Sequence, residues 1–248
     1  MSNSGISNVG IVAKSNFQSL MDHVGSGSAY DLSKRRSNLS ILPPYDGKAF
    51  SSFVETIYNM HGYIEHCREE YVLISQGNVI TNIDYTDVFD FHSKKKADIT
   101  LIYKNHAIPQ GYDSPITLDV DNDGKVNQIF VKPGVVDKEV FNHAYGSILI
   151  KKDILMSEIR NAISVNQLDV KRLLQSSLGK YSIYAFENKG YCAAISSIND
   201  YFEFNMDLMK KEVRDELFNP QRPIYTKVRD DAPSRYGLTS NVKNSFIV

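Results

Sequence analysis

Short runs of strand-forming residues alternate with amphipathic helical segments along most of this 248-residue chain. In the helical segments, apolar residues recur at every third or fourth position. This alternation predicts an α/β fold, in which helices flank a mixed sheet. The predicted strands are residues 8–14, 71–75, 97–104, 147–150 and 181–186, and the predicted helices are residues 16–24, 53–64, 84–92, 153–164, 169–178 and 197–209.

One of these helices has a clear start signal. Ser51 and Ser52 precede it, and a serine hydroxyl can accept a hydrogen bond from a main-chain N–H of the first turn. The apolar residues that follow have the spacing of one helix face, so a single continuous helix is expected. They are Phe53, Ile57, Met60 and Ile64.

The stretch ITLDVDNDGKVNQIFV (116–131) alternates apolar and polar residues on both sides of Asp123-Gly124. An Asp-Gly pair between alternating runs is a two-residue turn signal, so the stretch predicts a β-hairpin. The alternative is a calcium loop, because the run DVDNDG has acids at its first, third and fifth positions and glycine at its sixth. Such a loop needs a bidentate glutamate where this chain has Phe130, so the hairpin is the better interpretation.

Composition narrows the classes of function. The formal net charge is −1, which gives no overall attraction to nucleic acid or to an anionic membrane. No apolar run approaches the ~18 residues of a membrane-spanning helix. Cys67 and Cys192 show neither metal-ligand spacing nor a disulfide framework, and the six histidines are scattered. We therefore expect a cytoplasmic protein with no nucleic-acid partner and no membrane partner.

The stretch YVLISQGNVI (71–80) ends a strand-forming run at Gln76, Gly77 and Asn78. A strand that runs out into a glycine and a short polar residue often presents a ligand site in α/β proteins. An acid usually stands there to hold a metal, whereas this chain has an amide. At the end of another strand, the ammonium group of Lys132 can point into a cleft and hold a phosphate, although a plain surface lysine is an equal alternative.

Several segments, in order along the chain, resemble one family. They are NSGISNVGIVAKSNFQSLMDHVGSG, SILPPY, EEYVLISQGNVITNIDYTDVFDFH, ADITLIYK, IFVKP, GYCAAISSINDYFEFNMDLM and RPIYTKVRDDAPSRYGLTSNVKNSFIV. Together they resemble the bacterial glucose-1-phosphate adenylyltransferases, or ADP-glucose pyrophosphorylases, which transfer AMP from ATP to glucose 1-phosphate for glycogen synthesis. The resemblance implies a nucleotidyltransferase-like, Rossmann-like mixed sheet flanked by helices.

The departures from this family fall on its catalytic positions. Gly77, Asn78 and Val79 stand where the family has Gly-Asp-His, whose aspartate binds the catalytic magnesium. Ala194 stands where the family has a second magnesium-binding aspartate. The sugar-phosphate motif keeps its lysine as Lys132. Because magnesium needs anionic oxygens, the resemblance implies no catalytic residue, no metal site and no cofactor in this chain, and leaves Gly77, Asn78 and Lys132 as degenerate substrate-binding candidates.

The resemblance also sets expectations for the two ends of the chain. In the family, a Gly-rich phosphate loop precedes the segment NSGI, so we expect this chain to lack the first strand and that loop. A left-handed β-helix follows the nucleotidyltransferase-like domain, and here it would be cut off as it starts at SFIV. The expected division is an N-terminally incomplete nucleotidyltransferase-like domain at residues 1–222, then a linker and the beginning of the β-helix at residues 223–248.

This pattern resembles the GlgD-type regulatory subunit of the family. The leading hypothesis is a non-catalytic regulatory subunit of glucose-1-phosphate adenylyltransferase in glycogen biosynthesis, in a hetero- or homo-oligomer with a homologous catalytic subunit. A first alternative is a weakly active sugar-phosphate nucleotidyltransferase, in which Asp84 and Asp87 replace the lost metal ligands. A second is a metabolite-binding or structural fragment that holds a sugar phosphate beside Gly77 and Lys132.

Overall fold

The computed structural model describes residues 1–13, 17–33, 38–43, 52–106, 116–131, 140–224, 237, 239–241 and 243. The chain forms two compact units. Unit 1 comprises Met1–Gly77 and Ile83–Lys189, and unit 2 comprises Asn78–Asn82 and Gly190–Val248. The domain boundary predicted at residue 222 and the predicted start of a β-helix stay predictions, because most of residues 225–248 lie outside the described part.

Ten strands and eight α-helices lie in the described residues. The strands are β1 (Asn8–Val12), β2 (Asn38–Leu42), β3 (Tyr71–Ile74), β4 (Val79–Thr81), β5 (Ile99–His106), β6 (Ile116–Val120), β7 (Val126–Val131), β8 (Phe141–Lys151), β9 (Ile183–Glu187) and β10 (Cys192–Ala194). The helices are α1 (Phe17–Val24), α2 (Phe53–Asn59), α3 (His61–His66), α4 (Tyr85–Lys95), α5 (Lys152–Ser164), α6 (Val170–Ser177), α7 (Ile198–Asp207) and α8 (Lys211–Leu217).

A six-stranded mixed sheet forms the centre of unit 1. Its strand order is β7-β6-β8-β5-β9, and β3 also pairs with β8. Strands β5 and β9 are parallel, whereas β8 runs antiparallel to β3, β5 and β6. Because β8 is 11 residues long, its first part pairs with β6 and its last part with β3. The predicted α/β class with a mixed sheet is confirmed, and β1 and β2 form a separate parallel pair.

Helices cover both faces of this sheet. Buried apolar side chains of α2, α3, α5 and α6 pack on one face together with Ile148 and Ile150 of β8. Val88 of α4 packs on the other face with Ile102 and Leu149. Successive side chains of a strand point to opposite faces, so the continuous apolar run of β8 supplies both cores. This confirms the predicted arrangement of helices around the sheet.

The helix predicted over residues 53–64 is in fact two helices. Ser52 caps α2 as expected, because its hydroxyl accepts a hydrogen bond from Glu55 N, while Ser51 lies outside the described residues. The two helices meet at Met60, which belongs to neither and has φ −90° and ψ 4°. Beside the break, Asn59 Nδ2 donates to the main-chain oxygen of Glu55, and such side-chain bonds compete with the helical pattern.

The hairpin is confirmed, but its turn differs from the prediction. Strands β6 and β7 pair antiparallel, and the turn runs from Asp121 to Gly124, with Asn122 and Asp123 at its centre. Gly124 has φ +85°, so it is the left-handed residue that closes a longer loop and not the second residue of a two-residue turn. Asp121 Oδ1 accepts hydrogen bonds from the main-chain N–H groups of Asp123 and Lys125, which explains the local acidity without calcium.

Unit 2 contains the antiparallel pair of β4 and β10 and the helices α7 and α8. Helix α7 agrees with the prediction from the sequence. Helix α8, with seven residues, and strand β4, with three, are too short to show a clear periodicity and were not predicted. Among the described residues of the whole chain, every helix is too short or too polar to cross a lipid bilayer.

Candidate functional site

The three substrate-binding candidates predicted from the sequence do not lie in one part of the structure. Gly77 is the last residue of the first segment of unit 1, and Asn78 is the first residue of unit 2. Gly77 is exposed, and no atom lies within 4 Å of the point where a β-carbon would stand, so its position does not require glycine for space. Lys132 lies outside the described residues.

In unit 2, the β4–β10 pair brings together the two positions where the family resemblance implies magnesium ligands. Val79 is paired with Ala194, and Asn78 lies beside Ile195. The amide Nδ2 of Asn78 donates to the main-chain oxygen of Ile195 at 3.1 Å, and Ile195 N donates to the main-chain oxygen of Asn78 at 2.8 Å. Asn78 thus extends the strand pair by one residue, and its side-chain amide is bonded to the main chain of Ile195.

The carboxylate that follows these positions in sequence is Asp200 of α7. Its Oδ2 accepts hydrogen bonds from Ser196 N at 2.9 Å and Ser197 N at 2.8 Å, while Ser197 Oγ accepts one from Asp200 N. This reciprocal pair is a capping box. The hydrogen bonds from Ser196 and Ser197 lower the pKa of Asp200. The Asp200 carboxylate therefore caps the N-terminus of α7.

These donors do not fit a magnesium ion. Magnesium prefers octahedral sets of hard oxygen ligands that include carboxylates. Ala194 offers no side-chain donor, and Asn78 offers a neutral amide whose nitrogen is bonded to Ile195. Among the described residues, no group of three or more His, Cys, Asp or Glu side chains could hold a metal ion.

The substitute acids considered from the sequence are used elsewhere, in unit 1. Asp84 is the N-cap of α4, where its Oδ1 accepts a hydrogen bond from Thr86 N at 2.9 Å. Asp87 lies in the first turn of the same helix, where a negative charge is favourable for the helix dipole. Both acids thus lie at the start of a helix and stabilise it there.

A set of long-range polar contacts, which no local sequence pattern predicts, holds the β4–β10 pair in unit 2. Thr81 Oγ1 donates to the main-chain oxygen of Tyr191 at 2.9 Å, and the Tyr191 hydroxyl donates to Asp207 Oδ2 at 2.9 Å. Burial and the contact with Asp207 raise the pKa of Tyr191. Asn82 Nδ2 donates to the main-chain oxygens of Leu217 and Arg222, at 2.8 and 3.0 Å. These contacts tie the short strand β4 to α7, α8 and the segment after α8.

In unit 1, the end of β3 packs against a bulge in β8. The pairing of β5 with β8 shifts register at Ile102, which leaves Tyr145 and Gly146 as extra residues of β8. Gly146 has φ +75°, and the amide of Gln76 lies over its α-carbon. The hydroxyls of Ser75 and Ser147 are 3.3 Å apart. The exposed amide at the end of YVLIS thus covers a glycine that the bulge requires.

Two histidines and a tyrosine form a second polar cluster in unit 1. His106 Nε2 lies 3.2 Å from His143 Nδ1 and also contacts the Tyr145 hydroxyl. His143 is only 1% exposed. Burial, with a smaller effect of the neighbouring His106, lowers the pKa of His143 to about 4. No local sequence pattern predicts this cluster, because its members come from two strands that are distant along the chain.

The chain is similar to known proteins over its whole length. No protein-family model matches it. It is 30% identical to a glucose-1-phosphate adenylyltransferase of Clostridium acetobutylicum, of which it covers 66%. It is 34% and 26% identical to the glycogen biosynthesis proteins GlgD of Geobacillus stearothermophilus and Bacillus subtilis, of which it covers 63% and 62%. The chain thus spans less than two thirds of the length of these curated relatives.

A solved structure shares the fold. The crystal structure of HddC from Yersinia pseudotuberculosis matches with a TM-score of 0.52 and 14% sequence identity. The match covers 81% of this chain and 78% of that one. At this low identity the similarity concerns the fold alone.

Proposed function

Because the chain belongs to the family of bacterial glucose-1-phosphate adenylyltransferases and GlgD glycogen biosynthesis proteins, we propose that it is a non-catalytic regulatory subunit in glycogen biosynthesis. It binds a homologous catalytic subunit and changes that subunit's affinity or turnover. It acts in the cytoplasm and holds no metal or cofactor of its own. The similarity to two GlgD proteins over the full chain supports this role.

One observation carries the proposal. At the two adjacent positions of the β4–β10 pair where the active family members have metal-binding acids, this chain has Asn78 and Ala194. Nucleotidyl transfer relies on positioning and on charge stabilisation by the metal. A metal that contributes several kcal/mol accounts for a rate factor of roughly 10²–10⁴, because about 1.4 kcal/mol corresponds to tenfold. A chain without these acids is therefore suited to regulation and not to catalysis.

The first experiment measures catalysis by the purified chain. It is incubated with ATP, glucose 1-phosphate and magnesium, and the release of pyrophosphate is followed. The proposal expects no release above the background without protein. Magnesium-dependent release that scales with the amount of chain would contradict it and favour a weakly active nucleotidyltransferase.

The second experiment measures regulation. The chain is mixed with the glucose-1-phosphate adenylyltransferase of the same organism, and ADP-glucose formation is measured against substrate concentration. The proposal expects a saturable change in KM or kcat as the chain is added. If the enzyme is unaffected while calorimetry detects glucose 1-phosphate binding to the chain alone, a metabolite-binding fragment is the better description.

A further inference from the structure

Strand β1 in unit 1 has one side that pairs with no strand of the described residues. Two bonds show which residues face its neighbour β2, because Asn38 N donates to Ser7 O and Ala13 N donates to Leu42 O. In a parallel pair, alternate residues direct both main-chain groups to the same side, so the odd-numbered residues of β1 face β2. The even-numbered residues direct their N–H and C=O groups to the open side. They are Asn8, Gly10 and Val12.

Strand β3 has an open side of the same kind. Its neighbour β8 is antiparallel, and Lys152 N donates to Glu70 O just before β3 starts. Main-chain bonds to an antiparallel neighbour recur at every second residue, so the even-numbered residues of β3 face β8. Tyr71 and Leu73 direct their main-chain groups to the other side, where β3 has no partner among the described strands.

The two open sides face one gap in a single layer. Asn8, at the start of β1, donates through Nδ2 to Glu69 Oε1 at 3.0 Å, two residues before β3 starts. Val12 at the end of β1 and Ile74 at the end of β3 pack against one hydrophobic core, which also includes residues of α2, α3 and α5. Two side chains that meet end to end join main chains about 10 Å apart, which is two strand spacings. The gap therefore has room for one extended strand.

Partial exposure shows that both strands are sheet edges. In β5, which lies between β8 and β9, residues 99–102 are all buried. Every residue of β1 and β3 keeps some exposure, and Gly10 is exposed. An edge with unpaired N–H and C=O groups is a template for pairing with another chain. Two such edges on either side of one gap form a site for a single strand.

We propose that the gap between β1 and β3 binds an extended apolar segment of another polypeptide, which forms main-chain hydrogen bonds with both edges. In this mode of recognition the main-chain bonds give affinity and the side chains give specificity. Val72 of β3 packs against the core on one face of the sheet, and Leu73 packs against the core on the other face. A strand covered on both faces is a nearly continuous apolar run. The bound segment is therefore apolar on both faces and free of proline, which cannot donate to the ladder.

The first test uses the full chain and a synthetic peptide, KVIVIVK, with blocked ends. Amide hydrogen exchange is followed by NMR with and without the peptide. Binding should slow exchange at the open sides, at Gly10, Val12 and Leu73, by about tenfold or more. Exchange at Val9 and Ile11, which already face β2, should not change. The control is the same peptide methylated on its three valine nitrogens, which has lost the donors for one edge and should give no protection.

Two variants of Asn8 test the hydrogen bonds of β1. Proline is tolerated at the first residue of a strand, so Asn8→Pro removes one N–H of the open side and leaves the bonds between β1 and β2 in place. Asn8→Ala is the matched control, because it loses the same side-chain bond to Glu69 and keeps the N–H. The peptide Kd, measured by fluorescence anisotropy, should be about fivefold higher for Asn8→Pro than for Asn8→Ala, because one hydrogen bond is lost.

Three results would overturn the proposal. The first is that KVIVIVK does not bind, and the second is that its methylated form binds equally well. The third is protection at Leu39 and Ile41, which face the outer side of β2, in place of the residues that line the gap, because the peptide would then add to any exposed edge. Only the chain and a peptide are used, so each of these results leaves the regulatory role untouched.

Discussion

The side chain of Gln76 occupies the space beside the α-carbon of Gly146, so that a β-carbon at residue 146 would stand 2.3 Å from Gln76 Nε2. This contact joins the end of β3 to the bulge of β8. It gives the amide that follows the strand-forming run YVLIS a packing position, and it brings together two residues that are distant in sequence.

Replacing Gly146 tests this relationship. Gly146→Ala should lower the free energy of unfolding by about 1–2 kcal/mol, mainly because alanine is strained at φ +75°. Gln76 is exposed and can swing aside, so adding Gln76→Ala should recover only a small part of the loss. Urea unfolding followed by circular dichroism measures both variants. Gly77→Ala is the control, with open space at its β-carbon, and a loss as large as that of Gly146→Ala would refute the explanation.

His143 should make unit 1 sensitive to acid. Its pKa is lowered from 6.5 to about 4 in the folded chain, so the unfolded chain binds a proton first as the pH falls. The stability due to neutral His143 is present above pH 6.5 and is lost as the pH falls toward 4, by about 3 kcal/mol at most. His143→Gln should reduce this part of the pH dependence of unfolding. His23→Gln, at an exposed position of α1, should leave the pH dependence unchanged, and identical curves for His143→Gln and the wild type would contradict the prediction.

Introducing acids tests whether the β4–β10 positions can hold magnesium. The double change Asn78→Asp and Ala194→Asp removes the hydrogen bond from the Asn78 amide to Ile195 and introduces a carboxylate at each of two neighbouring main-chain positions. Without magnesium we expect a loss of about 1–2 kcal/mol in unfolding free energy, from the lost bond and the repulsion of like charges.

Magnesium then separates the two possibilities for this variant. If these positions are the remains of a metal site, added magnesium should raise the melting temperature of the double variant and leave that of the wild type unchanged. The control is Asn78→Ser with Ala194→Ser, which adds no negative charge. An equal effect of magnesium on the wild type would show that the present residues already bind the ion.

The side chain of Asn82 should contribute to the stability of unit 2 through two hydrogen bonds. Its amide donates to the main-chain oxygens of Leu217 and Arg222, so Asn82→Ala removes two hydrogen bonds. We expect a loss of about 1–3 kcal/mol, seen as faster amide hydrogen exchange in α8 and in β4. Asn199→Ala is the control, because the Asn199 amide donates to Glu203, an exposed residue of the same helix. Unchanged exchange in α8 would show that these bonds contribute little.

Helix starts could be predicted from the sequence, because a capping residue lies next to the helix that it caps. The helix predicted from residue 84 is α4, which Asp84 caps, and the helix predicted after Ser52 is capped by Ser52. The break at Met60 was not predicted, because Ile57, Met60 and Ile64 are all buried and keep the spacing of one continuous helix. Periodicity indicates which side chains face the core and does not indicate where the main chain departs from helical geometry.

The candidate site was harder to predict because its contacts are long-range. The sequence singled out Asn78, and the resemblance singled out Ala194, but nothing local showed that they are neighbours. The hydrogen bond between Asn78 and Ile195 joins residues that are 117 positions apart. Gln76 and Gly146 are related in the same way, although the glycine within a strand-forming run is typical of a bulge. The role predicted for Lys132 stays a prediction.

The insertion of β4 between two segments of unit 1 has a consequence for biosynthesis. The threonine of β4 that bonds to Tyr191 leaves the ribosome 110 residues before its partner. At about 5–20 residues per second, β4 waits roughly 5–20 s with an unpaired edge while the rest of unit 1 is translated. Rare codons or pauses between residues 83 and 189 would lengthen this interval, so the speed of translation through unit 1 governs how long the nascent chain is open to wrong pairing.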